Sequence, residues 1–328
     1  PMFRKIAAAV SAAILSVSLA SCSMTEKSAE EIENITEVPP KMLFLGDSIA
    51  AGYGLEGYTA DDNYSCRSYS NILKDKYSEE LRGKCSHTMI NKAVSGAASA
   101  DLIEQIQSGQ LDSDLADCDA VVVSIGGNDL LGILLEVLKN IGISENGSFD
   151  TQNFDLFGAA SLLMGMNNDI DKALEQFDKN IKIIYDELSR RTDGIIYIQT
   201  LYDPLEYYRQ VKRVTDFSND KIGRLNEMIT ENSACGYKVI DVAADFEGKA
   251  DSLTNIADFD IHPNAQGHEV IAEDVDAAFR ATGFTYTTTV YGDRQLSAEG
   301  RIAIGGIIAG IAFMTVVGAA LLVKKKKE

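Results

Sequence analysis

The chain contains no tryptophan and only three histidines and five prolines. Without an indole it has no tryptophan platform for stacking a sugar, although 13 tyrosines could stand in. The histidines and cysteines form no C-x-x-C or H-x-x-H cluster, so a zinc site has no basis and no metal or other cofactor is implied. Neither a repeat of 20 to 50 residues nor a long Pro/Gly tract occurs, which excludes a solenoid and a collagen-like chain. Cationic residues are also in deficit: 30 Lys+Arg stand against 49 Asp+Glu, for a net charge of −19. With no basic stripe to reverse that field, nucleic acid and other polyanions are poor partners.

What is present is a globular chain bounded by two apolar runs. Arg4 and Lys5 precede the run Ile6 to Leu19, which closes in Leu19-Ala20-Ser21-Cys22. This is a signal-peptide pattern, residues 1–22, whose end resembles a lipobox with Cys22 as the lipidated residue. At the other end Ile302 to Val323 is 22 residues without a charge, followed by Lys324 to Lys327. A helix of that length is about 33 Å long, enough to span a hydrocarbon core of about 30 Å, and the lysines then form a cytoplasmic tail, 324–328. The reading is an exported domain at a bacterial membrane, facing outward. The part left outside carries 23 Lys+Arg against 48 Asp+Glu, near −25.

Residues 23–40 are polar and acidic, end in Pro39-Pro40 and read as a tether. From Lys41 short apolar runs alternate with helical spacing. Met42 to Leu45, Met89 to Ile90, Ala120 to Ile125, Ile195 to Ile198 and Lys238 to Val242 read as strands. Tyr69 to Leu81, Asp101 to Ile106, Ile170 to Leu188, Ile222 to Ile229 and Glu269 to Phe279 read as helices. Such alternation predicts an α/β domain over 41–283, a three-layer α/β/α sandwich around a mainly parallel sheet. Residues 130–166 form an apolar insertion after a strand end, read as a lid or acyl-chain site. Residues 284–301, rich in Thr and Tyr, read as a stalk.

Ligands of open α/β sheets bind at the carboxyl ends of strands, and the chemistry-bearing residues fall there. The first strand ends in Gly46-Asp47-Ser48, the second is followed by Val94-Ser95-Gly96, and the third by Gly126-Gly127-Asn128-Asp129. After the last comes Asp258-Phe259-Asp260-Ile261-His262-Pro263. A turn flanked by glycine exposes the Ser48 hydroxyl, and His262 beside a carboxylate is a candidate base. The amide of Asn128 and the unobstructed N–H of Gly96 are candidate oxyanion donors.

These four blocks, in this order, resemble the SGNH, or GDSL, family of serine ester hydrolases. The resemblance implies a five-stranded parallel sheet of order 2-1-3-4-5. It further implies Ser48 as nucleophile, His262 as base, and an oxyanion hole of Gly96, Asn128 and the Ser48 N–H. It makes the chain a carboxylic ester hydrolase acting through an acyl-Ser48 intermediate on a lipid-like ester. Two alternatives are a carbohydrate O-acetyl esterase and a catalytically impaired surface binding module. One block departs from the family's D-x-x-H-P. Phe259 stands three residues before His262, so either Asp260 serves as the acid through a changed turn or a backbone carbonyl orients the ring, as that of Phe259 could. Asp258 lies one residue too far.

The remaining candidates have plainer readings. Asp47 and Asp129 suit hydrogen bonds within their turns, and His87 and His268 suit surface or capping positions. Cys66, Cys85, Cys118 and Cys235 read as reduced thiols, with Cys85–Cys118 as the alternative bridge.

Overall fold

A computed structural model describes residues 25–130, 156–210, 212–258 and 260–325, the side chains of 156–166, 213, 311, 313, 314 and 317–325 excepted. The chain divides into two compact units, one of residues Ile35–Tyr286 and another of Pro1–Asn34 with Thr287–Glu328.

The larger unit is built on five parallel strands: β2 (Lys41–Gly46), β3 (Thr88–Asn91), β4 (Ala120–Ser124), β5 (Ile195–Gln199) and β6 (Lys238–Ile240). Their spatial order is β3-β2-β4-β5-β6, the predicted 2-1-3-4-5. The central strands, Met-Leu-Phe-Leu-Gly in β2 and Ala-Val-Val-Val-Ser in β4, are buried throughout. Continuous apolar runs of this kind belong to a parallel sheet covered on both faces. The register sets Gly46 opposite Ser124, so the turn after β2 opens beside the end of β4.

Helices supply the two covers. On one face α2 (Tyr69–Glu80) packs with α9 (Ala265–Arg280). Phe44 of β2 meets Tyr69 edge-on at 5.6 Å, and Tyr197 of β5 meets Phe279 at 5.1 Å. All four rings are fully buried, each contributing about 1.5–3 kcal/mol of transfer free energy. On the other face α3 (Ser99–Gln107), α5 (Leu156–Ser189) and α6 (Lys212–Asn232) pack in succession. The short helices among the described residues are α1 (Ser48–Ala51), α4 (Asp112–Ala116), α7 (Val242–Phe246) and α8 (Ala250–Leu253).

Several expectations about the connecting segments change. Residues 131–155 of the apolar insertion lie outside the described residues, but its last part begins α5, which runs 34 residues unbroken into the predicted helix. The predicted tether is mostly strand: β1 (Thr25–Thr36) pairs with β7 (Phe284–Leu296), which occupies most of the predicted stalk. Both strands are almost wholly exposed, so no burial imprints a period of two on β1, and its pairing comes from the ladder offered by β7. The β-branched and aromatic run Thr-Tyr-Thr-Thr-Thr-Val-Tyr in β7 has the stronger intrinsic strand preference. Val38, Pro39 and Pro40 are buried, so the larger unit begins before Lys41.

The uncharged run Ile302 to Val323 lies within α10 (Ala298–Lys325). Among the described residues no helix is long and apolar enough to cross a membrane. Part of that run has side chains outside the described ones, as do Cys22 and the whole of residues 1–24.

Candidate active site

The turn after β2 is dictated by lack of space. Gly46 has φ +129°, and a Cβ there would lie 1.9 Å from the Ser124 carbonyl oxygen, so no other residue fits. The next N–H, that of Asp47, donates to that same oxygen at 3.0 Å. Asp47 Oδ1 then accepts the Ile49 N–H at 3.0 Å and caps α1, which ends in left-handed Gly52. Ser48 is thereby fixed at the start of α1, at the carboxyl edge of the sheet. Asp47 is 1% exposed, and burial pushes its carboxyl up to about 7 despite the Ile49 bond and the nearby His262.

Two further turns converge beside it. After β3 the Val94 N–H donates to the Gly46 carbonyl at 2.9 Å, and Gly96 follows with φ +87°, exposed, with nothing within 4 Å of a Cβ position. After β4, Gly126 has φ +115° and a Cβ would strike the Phe177 ring at 2.8 Å. Asn128 Nδ2 donates to the Ala97 carbonyl at 2.9 Å, tying this turn to the previous one and leaving its second N–H for another acceptor. Asp129 completes the tie by accepting from the Ser99 N–H at 3.0 Å and from the Ser99 hydroxyl. Asp47 thus holds its own turn, as expected, whereas Asp129 bonds to Ser99 at the start of α3, joining two turns.

The last loop brings in base and acid. Ser48 Oγ lies 2.8 Å from His262 Nε2, and the opposite ring nitrogen, Nδ1, is hydrogen bonded to Asp260 Oδ1. The same oxygen accepts the His262 backbone N–H at 3.1 Å. This double contact is how an acid two residues before the histidine reaches Nδ1: Asp260 folds back over the backbone of its own turn. Burial would raise the Asp260 pKa, but its bonds to the His262 side chain and backbone outweigh that and hold it below the usual carboxylate range. Asp258 is the exposed last residue of a 3₁₀ turn, Ile256–Asp258, and Phe259 lies outside the described residues. The structure thus brings Asp260 to the ring.

Two neighbours carry no family motif. The Tyr53 ring, 43% exposed, sits 4.5 Å from the His262 ring and edge-on to Tyr58 at 5.3 Å. Gly54, next in sequence, has φ +86°, and a Cβ there would lie 2.8 Å from Asp260 Oδ2. The glycines flanking Tyr53 were the one available signal for this loop.

The other histidines stand apart. His268 is not on the surface: it is fully buried, and its Nδ1 accepts the Tyr69 N–H at 3.2 Å, so it caps the start of α2. Burial drives its pKa down to about 3, leaving it neutral. His87 Nε2 is 3.0 Å from the Ser78 hydroxyl. All four cysteines among the described residues are free thiols, including Cys85 and Cys118. A cavity of about 620 Å³ near the ends of β5 and β6 is lined by Asp203, Glu206, Glu227 and Glu231 and holds none of the site residues. Among the described residues no group of His, Cys, Asp or Glu is arranged to hold a metal.

A hydroxyl, an imidazole and a carboxylate linked in series at the carboxyl edge of a parallel sheet are the parts of a serine ester hydrolase of the three-layer α/β type. Residues 44–270 match the GDSL-like lipase/acylhydrolase family, and the chain belongs to it. It is a carboxylic ester hydrolase by that membership. It is 25% identical to the uncharacterized protein YpmR of Bacillus subtilis (strain 168) over 283 residues, 81% of this chain and 92% of that one. Its fold is similar to a lipase from a goat rumen metagenome, with a TM-score of 0.53, 20% identity and coverage of 73% and 96% of the two chains. It is also similar to an extracellular lipase from Streptomyces rimosus, with a TM-score of 0.52, 18% identity and coverage of 73% and 99%.

Proposed function

We propose that the chain cleaves carboxylic esters through an acyl-Ser48 intermediate, with His262 as general base and acid and Asp260 as its orienting carboxylate. The observation that carries this reading is the unbroken series Ser48 Oγ, His262, Asp260. In the first step the Ser48 proton passes to His262 Nε2 while Oγ bonds to the ester carbonyl carbon. The bond from carbon to the alcohol oxygen then breaks, and His262 returns the proton to the leaving alcohol. Water repeats the sequence and releases the acid and free Ser48. Asp260 stays ionised throughout and favours the imidazolium formed at each transition state. The second N–H of Asn128, with the Gly96 and Ser48 N–H groups, receives the charge that develops on the carbonyl oxygen.

For the substrate we propose a lipid-like or medium-chain acyl ester. The apolar sequence of residues 130–166, directly after the turn that bears Asn128, supports an acyl-chain partner. The protein is proposed to act outside a bacterial membrane, held there by lipidated Cys22 and the uncharged run Ile302 to Val323, on the strength of those sequence patterns. A fluorophosphonate probe tests the chemistry, and acetyl to lauroyl esters alongside acetylated xylan test the substrate. Labelling lost in Ser48→Ala, with turnover rising toward longer chains, is the expected result. Turnover that survives in Ser48→Ala overturns the mechanism, and a preference for acetylated xylan overturns the substrate.

A further inference from the structure

The acid of this site lies in a loop closed at its base. Thr254 and Pro263 form an antiparallel bridge, and the Asn255 N–H donates to the His262 carbonyl at 2.9 Å. Inside the loop the Asn255 carbonyl accepts the Asp258 N–H at 2.9 Å and the Asp260 N–H at 3.3 Å. Asn255 is therefore joined through its backbone to both the acid and the base. Its side chain reaches further. Asn255 Nδ2 faces the Gly54 carbonyl at 3.4 Å and lies beside the Asp260 carboxylate, which it helps to keep ionised.

Gly54 forms the other wall. A Cβ on Gly54 would lie 2.8 Å from Asp260 Oδ2, 3.1 Å from Asn255 Nδ2 and 3.3 Å from His262 Cβ. Two crowded walls thus bound the carboxylate on the side away from the imidazole. A carboxylate that reaches the ring by folding back over its own turn has little else to fix its rotation, since Oδ1 alone serves both the ring and the backbone of His262. The Asn255 amide, which crowds the same Gly54 position as Oδ2, supplies that constraint.

Building on the ester-hydrolase reading above, we propose that Asn255 is a positioning residue: with Gly54 it forms a socket that holds Asp260 against His262 despite the shortened spacing. The backbone bonds of Asn255 survive any side-chain change, so substitution isolates the amide. The test uses the full chain and two variants, Asn255→Ala, which removes the donor, and Asn255→Asp, which keeps its shape but sets a second carboxylate beside the first. For each, kcat, KM and the pH dependence of kcat/KM are measured together with fluorophosphonate labelling and the melting temperature.

The expected result for Asn255→Ala is a fall in kcat of about 10²-fold with KM little changed, since small misplacements of a catalytic group cost about that much. In Asn255→Asp the acidic limb of the pH profile should move to higher pH, because added negative charge favours the imidazolium. Wild-type kcat and pH limb in both variants, with labelling of Ser48 intact, overturn this inference and leave the hydrolase reading standing. A loss confined to Asn255→Ala that follows its melting temperature, with Asn255→Asp unchanged, also overturns it by showing a role in stability alone. Labelling that persists in Ser48→Ala would instead strike the underlying reading.

Discussion

In the turn after β2, Gly46 is pressed against the Ser124 carbonyl, Asp47 caps the helix it precedes, and Gly52 closes that helix four residues after Ser48 starts it. In the loop from Thr254 to Pro263 the bonds run differently. Asp260 bends back to its own neighbour His262, and its free side is bounded by Gly54 and Asn255, the former some 200 residues away in the chain. The first turn is specified by local backbone geometry and one adjacent strand, the second by side-chain bonds within its own loop and the close approach of a distant segment at Gly54. A motif of the first kind leaves a fixed spelling in the sequence. In the second kind the spelling can drift, provided the same atoms still meet.

The strongest challenge to this contrast is at the acid. If Asp260 stabilises the imidazolium, Asp260→Asn should lower kcat by on the order of 10³-fold or more, while Asp258→Asn should change it little. Equal and mild losses in steady-state assays would mean that the shifted spacing has dispensed with a carboxylate.

The turn bearing Asn128 is tied to its neighbour by side-chain bonds and so falls between the two extremes. Asn128→Ala should reduce kcat by roughly 10²- to 10³-fold with KM nearly constant, as expected for a donor that acts mainly in the transition state. A change confined to KM would place Asn128 in substrate binding instead.

The smallest effect on turnover, and a test of the local turn alone, is at Asp47. Its carboxyl is raised from 3.8 to about 7 in the folded protein, so between those values the native state holds a proton that the unfolded chain has released. Stability from this group therefore falls as pH rises from about 4 to about 7. Asp47→Asn keeps an oxygen to cap Ile49 and removes the titration. Between pH 5 and pH 8 the wild type should lose roughly 3 kcal/mol relative to this variant, read by urea melts at each pH. Neutral, buried His268 contributes in the opposite sense below its ordinary pKa, but it is common to both proteins and cancels. Parallel stability curves would show that Asp47 is ionised throughout.

The sequence by itself was enough for a mainly parallel α/β sheet, because buried apolar runs alternating with helical spacing admit few other arrangements, while the strand order came from the family resemblance. It was also enough for Ser48, Gly96, Asn128 and His262 as the residues to examine, since strand ends that demand glycine keep a recognisable pattern. It gave no sign of the strand over residues 25–36, because an exposed ribbon buries nothing and shows no period. It placed His268 at a surface or cap, and only packing revealed a fully buried cap at the start of α2. Asp260 was already the candidate acid in the sequence, but its contact with the ring, the approach of Gly54 and the reach of Asn255 came from the tertiary structure alone. Each depends on which atoms meet once the loop has folded, at Gly54 across some 200 residues, and no local spacing encodes that.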